Sequence, residues 1–161
     1  METVTVKDKT FTISIPAEQL QARIAEVGAQ LSKDLSGKNP LFVAVLNGSF
    51  MFAADLMRHI TIPSEISFVR FSSYAGMEST GKVKELIGLS ESLEGRTVVV
   101  VEDIIDSGLT MQQLLAQPEK VSVPLTIDYT CFNIPNDFIV GYGLDYDGYG
   151  RNLPAIYTVT E

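Results

Sequence analysis

The segment from 98 to 110 holds the residues of this sequence that are best suited to do chemistry. It reads VVVVEDIIDSGLT, so an apolar run leads into two adjacent acids and then into Asp-Ser-Gly. Gly108 permits a tight turn, and Ser107 and Thr110 add hydroxyl donors. Backbone amides at such a turn can converge on one anion, and here they are those of Asp106, Ser107, Gly108, Leu109 and Thr110. The pattern predicts a pocket for the terminal phosphate of a small molecule.

The two acids before this turn, Glu102 and Asp103, predict a second function for the same segment. Their carboxylates could hold the vicinal hydroxyls of a sugar, either directly or through Mg²⁺, which prefers oxygen ligands. A purely structural interpretation is also open, because acids after a strand are usually solvated and Asp-Ser-Gly is a common turn and helix cap. That interpretation leaves the position of the acid pair unexplained, whereas a sugar-phosphate site accounts for the whole segment.

Elements of strand length and helix length alternate around this segment. Two apolar runs, 41–46 and 97–101, are typical of parallel strands buried on both faces. An apolar stripe with helical spacing begins after Pro16 and ends near Gly37, and a second apolar helix is predicted for 50–59. Further strands are predicted at 66–71, 82–88, 138–142 and 155–158. This alternation predicts an α/β fold with a mainly parallel central sheet.

Polar segments follow both buried runs. Ligands of parallel sheets bind beyond the carboxyl ends of the strands. Asn47-Gly48-Ser49 follows the first run and Glu102 to Gly108 follows the second, so both are predicted to lie at the same edge of the sheet. The stretch 143–152 reads GLDYDGYGRN, a composition more typical of a ligand-holding loop than of a core.

The bulk composition limits the classes of partner. The 161 residues suit one domain, and 12 Lys plus Arg against 20 Asp plus Glu give a net charge of −8. That sign disfavours nucleic acid and an anionic membrane as main partners, although backbone amides and a metal ion can still hold a phosphate. With Cys131 as the one cysteine, no intrachain disulfide can form, and the cytosol is the expected compartment. No apolar run reaches the roughly 18 residues of a membrane span.

Four segments together resemble the type I phosphoribosyltransferases, and among these the hypoxanthine–guanine phosphoribosyltransferases. They are VLNGSFMFAADL (45–56), FSSYAGMESTGKVK (71–84), VVVVEDIIDSGLT (98–110) and IPNDFIVGYGLDYDGYGRNLP (134–154). They stand in the family's order and cover most of the chain. The resemblance implies the type I phosphoribosyltransferase fold in a single domain over 1–161, with a core at about 15–117 and a small base-binding hood at about 118–161 that includes the N-terminal segment.

The resemblance also implies a reaction. It is the Mg²⁺-dependent transfer of 5-phosphoribosyl from phosphoribosyl pyrophosphate to N9 of hypoxanthine or guanine, which gives IMP or GMP and pyrophosphate. The assembly implied is a homodimer or a homotetramer. A non-catalytic nucleotide-binding regulator on the same fold is the alternative function. RNA as the partner of such a regulator is disfavoured by the net charge of −8.

Site roles follow from the same resemblance. Asp106 would act as acid or base near N7 of the purine. The ribose and its 5′-phosphate would be held by Glu102, Asp103 and the loop Asp106, Ser107, Gly108, Leu109 and Thr110. Pyrophosphate would be bound by Asn47, Gly48 and Arg151, and the lid would be formed by Ser73 and Tyr74. The base would be bound by Phe138, Ile139 and Asp145, and the metal would be held by Asp145, Glu102 and Asp103. The 47–48 loop in this family often contains a non-proline cis peptide. Taken singly, Phe138 could be a core residue, Arg151 a surface cation and Tyr74 an ordinary loop aromatic.

The sequence departs from the resemblance after the phosphate loop. The family continues there with a helix and then a strand, which ends in a lysine that contacts the 6-oxo group of the purine, usually just before a proline. Here only 109–117 precede Pro118, whereas a helix plus a strand needs roughly 15–20 residues. About ten residues are therefore missing from the pattern, and Gln117 stands where the lysine is expected.

Two explanations of this departure stay open. The protein either contains a stretch that this sequence omits, or its chain is truly shortened. We favour the first, because 45–110 keeps consistent local signals of an intact enzyme. An intact mass of 17.6 kDa would support the second.

Overall fold

The helices and strands follow the apolar patterns of the sequence. The computed structural model describes residues 2–72, 84–104 and 128–160. In chain order the described elements are β1 (Thr3–Val6), β2 (Lys9–Ile15), α1 (Ala17–Asp34), β3 (Leu41–Leu46), α2 (Phe50–Arg58), β4 (Glu65–Ser72), β5 (Lys84–Ile87), β6 (Val98–Val101), β7 (Ile139–Val140) and β8 (Ile156–Val159).

The central sheet has the strand order β5-β4-β3-β6 within the described residues. Strand β3 is parallel to both β4 and β6, and β5 is antiparallel to β4. The first five residues of β3 are buried, as expected for a strand covered on both faces. The predicted α/β class with a mainly parallel sheet is therefore confirmed.

Helices α1 and α2 pack together beside this sheet and form its largest hydrophobic cluster. The apolar stripe predicted for α1 is buried at Leu20, Ile24, Val27 and Leu31. Gly37 has a φ of +78°, a conformation that favours glycine and that ends the helical region as predicted. Neither of these two described helices is long and apolar enough to cross a membrane.

A second sheet joins the two ends of the described chain in the order β1-β2-β8-β7. Its pairings are all antiparallel, and its own small cluster centres on the fully buried Phe11 and Val140. The strand predicted over 138–142 is wrong in its extent, because the ladder includes only Ile139 and Val140. The three residues from Gly141 to Gly143 all have positive φ, which is incompatible with a continued strand.

Candidate active site

The loop between β3 and α2 is short and tightly enclosed. Only three residues, Asn47, Gly48 and Ser49, separate the strand from the helix. The Leu46–Asn47 peptide bond is cis, and the Ser49 hydroxyl is fully buried and donates to the Val45 carbonyl. The loop leaves the carboxyl end of β3, the edge of the sheet where its ligand site was predicted.

Gly48 lies directly against the acid that follows β6. A Cβ atom placed on Gly48 would overlap the Asp103 carboxylate, with only 2.7 Å to its Cγ. Real Cβ atoms essentially never come that close to another heavy atom. The present position of the Asp103 carboxylate therefore requires glycine at 48, and the 47–49 loop and the acid pair are parts of one site.

Within the acid pair, the surroundings of Glu102 disfavour its charged form. Burial, and then the hydrogen bond and the charge of Asp103, raise the pKa of Glu102 to about 9. Asp103 Oδ1 accepts the backbone N–H of Ile104 at 2.8 Å, which orients this carboxylate. Glu102 consequently holds a proton at neutral pH, and a bound cation would favour the ionised pair instead.

The loop 141–151 is built around the side chain of Arg151. Its Nη1 donates to the Gly143 carbonyl at 2.7 Å, and its Nη2 lies 3.0 Å from Asp145 Oδ1. The backbone closes the same ring, since the Gly143 N–H donates to the Arg151 carbonyl at 2.9 Å. The other oxygen of Asp145 accepts the Gly148 N–H at 2.8 Å. Arg151 is thus a structural centre of its loop and not an isolated surface cation.

This Arg151 loop meets the short loop at Gly48. A Cβ atom on Gly143 would overlap the Gly48 carbonyl oxygen and lie 3.3 Å from the Gly48 carbonyl carbon. Gly48 is therefore enclosed by Asp103 and by Gly143. Three segments that are far apart in the sequence come together, and they bring five predicted site residues into one region: Gly48, Glu102, Asp103, Asp145 and Arg151.

Phe138 and its neighbours form an aromatic group at the second sheet. The Phe138 side chain is 46% exposed, so it is not a core residue. Its ring lies 6.0 Å from that of Phe11 and 5.5 Å from that of Tyr146, centroid to centroid, with the Tyr146 ring at 90°. The next residue, Ile139, pairs with Thr158 of β8. This arrangement leaves part of an aromatic ring free to stack on a planar ligand.

Other predicted site residues lie outside the described residues. They are Ser73, Tyr74, Asp106, Ser107, Gly108, Leu109 and Thr110. The break predicted between Gln117 and Pro118 lies outside them as well. Their roles therefore stay predictions.

The donor set of the site suits a hard divalent cation. Among the described residues, no three His, Cys, Asp or Glu side chains gather into a metal site. Mg²⁺, however, is commonly held by one or two carboxylates together with waters and substrate phosphates. The closely placed carboxylates of Glu102 and Asp103 fit that mode of binding, because a cation would offset their mutual repulsion.

Comparison with known proteins identifies the class of the fold and site. The sequence profile described as "Phosphoribosyl transferase domain" matches residues 16–117, more than half of the chain. This range contains the central sheet, both helices, the 47–49 loop and the acid pair.

Curated relatives and solved structures narrow the class. The chain is 42% identical to the hypoxanthine-guanine phosphoribosyltransferase of Streptococcus mutans, over 89% of this chain and 90% of the relative. A crystal structure of a hypoxanthine-guanine phosphoribosyltransferase from Bacillus anthracis is 42% identical, with a TM-score of 0.80 over 97% of this chain and 100% of that one. A hypoxanthine phosphoribosyltransferase from Staphylococcus aureus gives 37% identity and a TM-score of 0.82 over 92% and 90%. The chain belongs to the hypoxanthine-guanine phosphoribosyltransferase family.

The same alignments show that the relatives carry residues that this chain lacks. The alignment with the Streptococcus mutans relative is 162 positions long, yet it spans 89% of the 161 residues here, which is about 143. About 19 positions of that relative therefore face no residue of this chain. The gap is larger than the ten or so residues predicted from the sequence. The profile match ends at Gln117, next to the predicted break.

Proposed function

We propose that this protein transfers the 5-phosphoribosyl group of phosphoribosyl pyrophosphate to N9 of hypoxanthine or guanine, which gives IMP or GMP and pyrophosphate. The observation that supports the proposal most strongly is the meeting of three segments at Gly48. That meeting puts an acid pair, an arginine-centred loop and a closely packed backbone turn at one edge of the sheet in a member of this family.

Departure of pyrophosphate leaves positive charge on the ribose ring and negative charge on the leaving group. Fixed donors that point at the leaving group stabilise that negative charge. Arg151 suits this role because a guanidinium has five N–H donors, and its contacts with Gly143 and Asp145 leave several of them available. The loop at Asn47 and Gly48 would contact the same pyrophosphate.

The ribose would be held by Glu102 and Asp103. The oxygens of the two carboxyl groups can accept hydrogen bonds from two vicinal hydroxyls, and a cation bound at the pair would favour the charged form of Glu102. The carboxylates of Glu102, Asp103 and Asp145, all among the described residues, do not gather into one metal site, so Mg²⁺ would be held by the acid pair or, separately, at Asp145, where it would neutralise charge on the leaving group. Because a carboxylate offers about four acceptor sites, Asp145 keeps capacity beyond its contacts with Arg151 and Gly148.

The base would stack on the exposed face of Phe138, with the backbone of Ile139 at its edge. Phe11 and Tyr146 hold the Phe138 ring from two sides, so the platform is fixed before the base arrives. Asp145 would lie near the 2-position of the purine. The family resemblance supports the remaining roles, namely Asp106 as acid or base, Asp106 to Thr110 as the phosphate loop, and Ser73 and Tyr74 as a lid that excludes water.

A direct assay tests the proposal. The purified chain, with its intact mass measured, is incubated with phosphoribosyl pyrophosphate, Mg²⁺ and either hypoxanthine or guanine, and nucleotide is measured. We expect IMP and GMP. The absence of product with several purine bases would contradict the proposal.

The alternative is a nucleotide-binding regulator without catalysis on the same fold, although the relatives are named as transferases. This chain lacks about 19 positions that its relatives carry, and Gln117 replaces the lysine that the family resemblance implies for recognition of the 6-oxo group. Calorimetry with IMP on the same sample distinguishes the two functions. Tight nucleotide binding without turnover supports the regulator, and turnover excludes it.

A further inference from the structure

Tyr142 has a backbone conformation that its residue type does not favour. Its φ is +48°, and it lies between Gly141 and Gly143, whose φ values are +103° and +95°. A left-handed conformation is sterically unfavourable for a non-glycine residue, so glycine would be the least strained residue at all three positions. The tyrosine side chain must therefore contribute contacts that offset this cost.

Those contacts tie the Arg151 loop to both helices of the core. The Tyr142 ring is buried in the hydrophobic cluster that α1 and α2 form. Its hydroxyl donates to Oδ2 of Asp55, which lies on α2. The side-chain amide of Gln21, on α1, donates to the same oxygen of Asp55 at 2.9 Å. One loop residue is thus hydrogen bonded to a carboxylate that both helices help to hold.

The hydrogen bond between Tyr142 and Asp55 lies where it can constrain the distance between the two loops of the site. Helix α2 begins at Phe50, directly after the short loop, so Asp55 is rigidly connected to Gly48. On the other side, Tyr142 is followed at once by Gly143, which contacts the Gly48 carbonyl and binds Arg151. The bond from Tyr142 to Asp55 therefore fixes the place of the Arg151 loop against the short loop.

We infer that Tyr142 and Asp55 are positioning residues that set the spacing between the two loops proposed to bind pyrophosphate. This inference rests on the proposed function. Loss of the hydroxyl should weaken binding of phosphoribosyl pyrophosphate. Binding of the base should change little, because Phe138 is held by Phe11 and Tyr146 instead.

The test compares Tyr142→Phe with Tyr129→Phe in the full chain. Tyr129 is a matched control because its hydroxyl also donates to an aspartate on a core helix, to Asp34 Oδ2 at 2.6 Å, outside the proposed site. We expect Y142F to raise the KM for phosphoribosyl pyrophosphate about tenfold, with the KM for hypoxanthine within about twofold of wild type. Y129F should change neither constant.

Conservative replacement at Asp55 sharpens the test. Asp55→Asn keeps an oxygen that accepts the Tyr142 hydroxyl, so it should retain most of the wild-type affinity, whereas Asp55→Ala should match Y142F. The double variant of D55A and Y142F should be no worse than either single variant, since one bond is lost in each case. Equal effects of Y142F on both substrates, or effects no larger than those of Y129F, would overturn the inference.

Nucleotide formation by the wild-type chain tests the proposed function separately from this inference. If wild type forms no nucleotide, the proposed function fails. Calorimetry then measures the binding of inorganic pyrophosphate in the presence of Mg²⁺, which does not depend on catalysis. Weaker binding by Y142F than by Y129F supports the inference, and equal binding contradicts it.

Discussion

The two loops that meet at Gly48 are built in opposite ways. The short loop has three residues and takes its geometry from what surrounds it: β3 before it, α2 after it and Asp103 against it. The Arg151 loop takes its internal shape from left-handed residues and the hydrogen bonds around Arg151, and only its place against the core is set from outside, by the Tyr142–Asp55 bond. A site can thus combine a turn that is shaped by the core with a loop that is shaped by its own polar contacts. The two should respond differently to mutation.

The largest effect is expected from Gly48→Ala in the short loop, whose geometry is set by the residues around it. The added Cβ overlaps the Asp103 carboxylate, so the acid pair must move and catalysis should fall at least about 100-fold, because small displacements in a site can cost that much. The measurement is kcat/KM for IMP formation. Gly95→Ala is the control for backbone strain without steric overlap, since Gly95 has a φ of +70° but open space around it. Activity near wild type in G48A would show that this loop is not shaped by its neighbours.

Arg151→Lys tests the Arg151 loop, whose shape depends on its own hydrogen bonds, and should have the next largest effect. Lysine keeps the charge but cannot contact Gly143 and Asp145 together, as the planar fork does. We expect kcat/KM for phosphoribosyl pyrophosphate to fall roughly 30-fold, with most of the loss in KM. Arg58→Lys, at the end of α2, is the matched control and should leave kcat/KM unchanged. An equal loss in both variants would remove the special role of Arg151.

Glu102→Gln should change the pH dependence of stability. The pKa of Glu102 lies near 9 in the folded chain against an ordinary value near 4.5. Between these values the folded state holds a proton that the unfolded state releases, so wild-type stability falls as pH rises. Glutamine does not titrate, so E102Q should melt a few degrees above wild type at pH 8 and close to it at pH 4. Thermal melts at both pH values check this, and an equal difference at both would contradict the raised pKa.

The smallest effect is expected where the Arg151 loop contacts the turn between β1 and β2. Lys7 pairs with Asp147, but both side chains are largely exposed, and such pairs contribute little. Lys7→Ala should shift the melting temperature by no more than about 1 °C. A shift of several degrees would mean that this exposed ion pair supports the loop.

The parts of the fold that depend on local pattern could be predicted from the sequence. Strands β3 and β6 follow from continuous apolar runs, and α1 follows from its apolar stripe. The acid pair could be recognised because it stands directly after a strand. These features need no knowledge of distant residues.

Contacts between distant residues could not be predicted in this way. Tyr142 and Asp55 are 87 positions apart, and neither residue type indicates the other as its partner. The strand expected over 138–142 is wrong beyond Val140, because Tyr142 is left-handed although aromatic residues usually favour strands. The flanking glycines were the available signal, and they predict a turn.

The enclosure of Gly48 bears on how this protein can change its substrate. With a carboxylate against one side of its backbone and Gly143 against the other, Gly48 cannot take a side chain without displacing neighbouring atoms. In the proposed base platform, by contrast, the ring of Phe138 projects partly into solvent, where residues of other shapes can be accommodated. Selection for a new base would therefore act on the rim around Phe138, the proposed base platform, while the loops proposed to bind pyrophosphate would stay fixed.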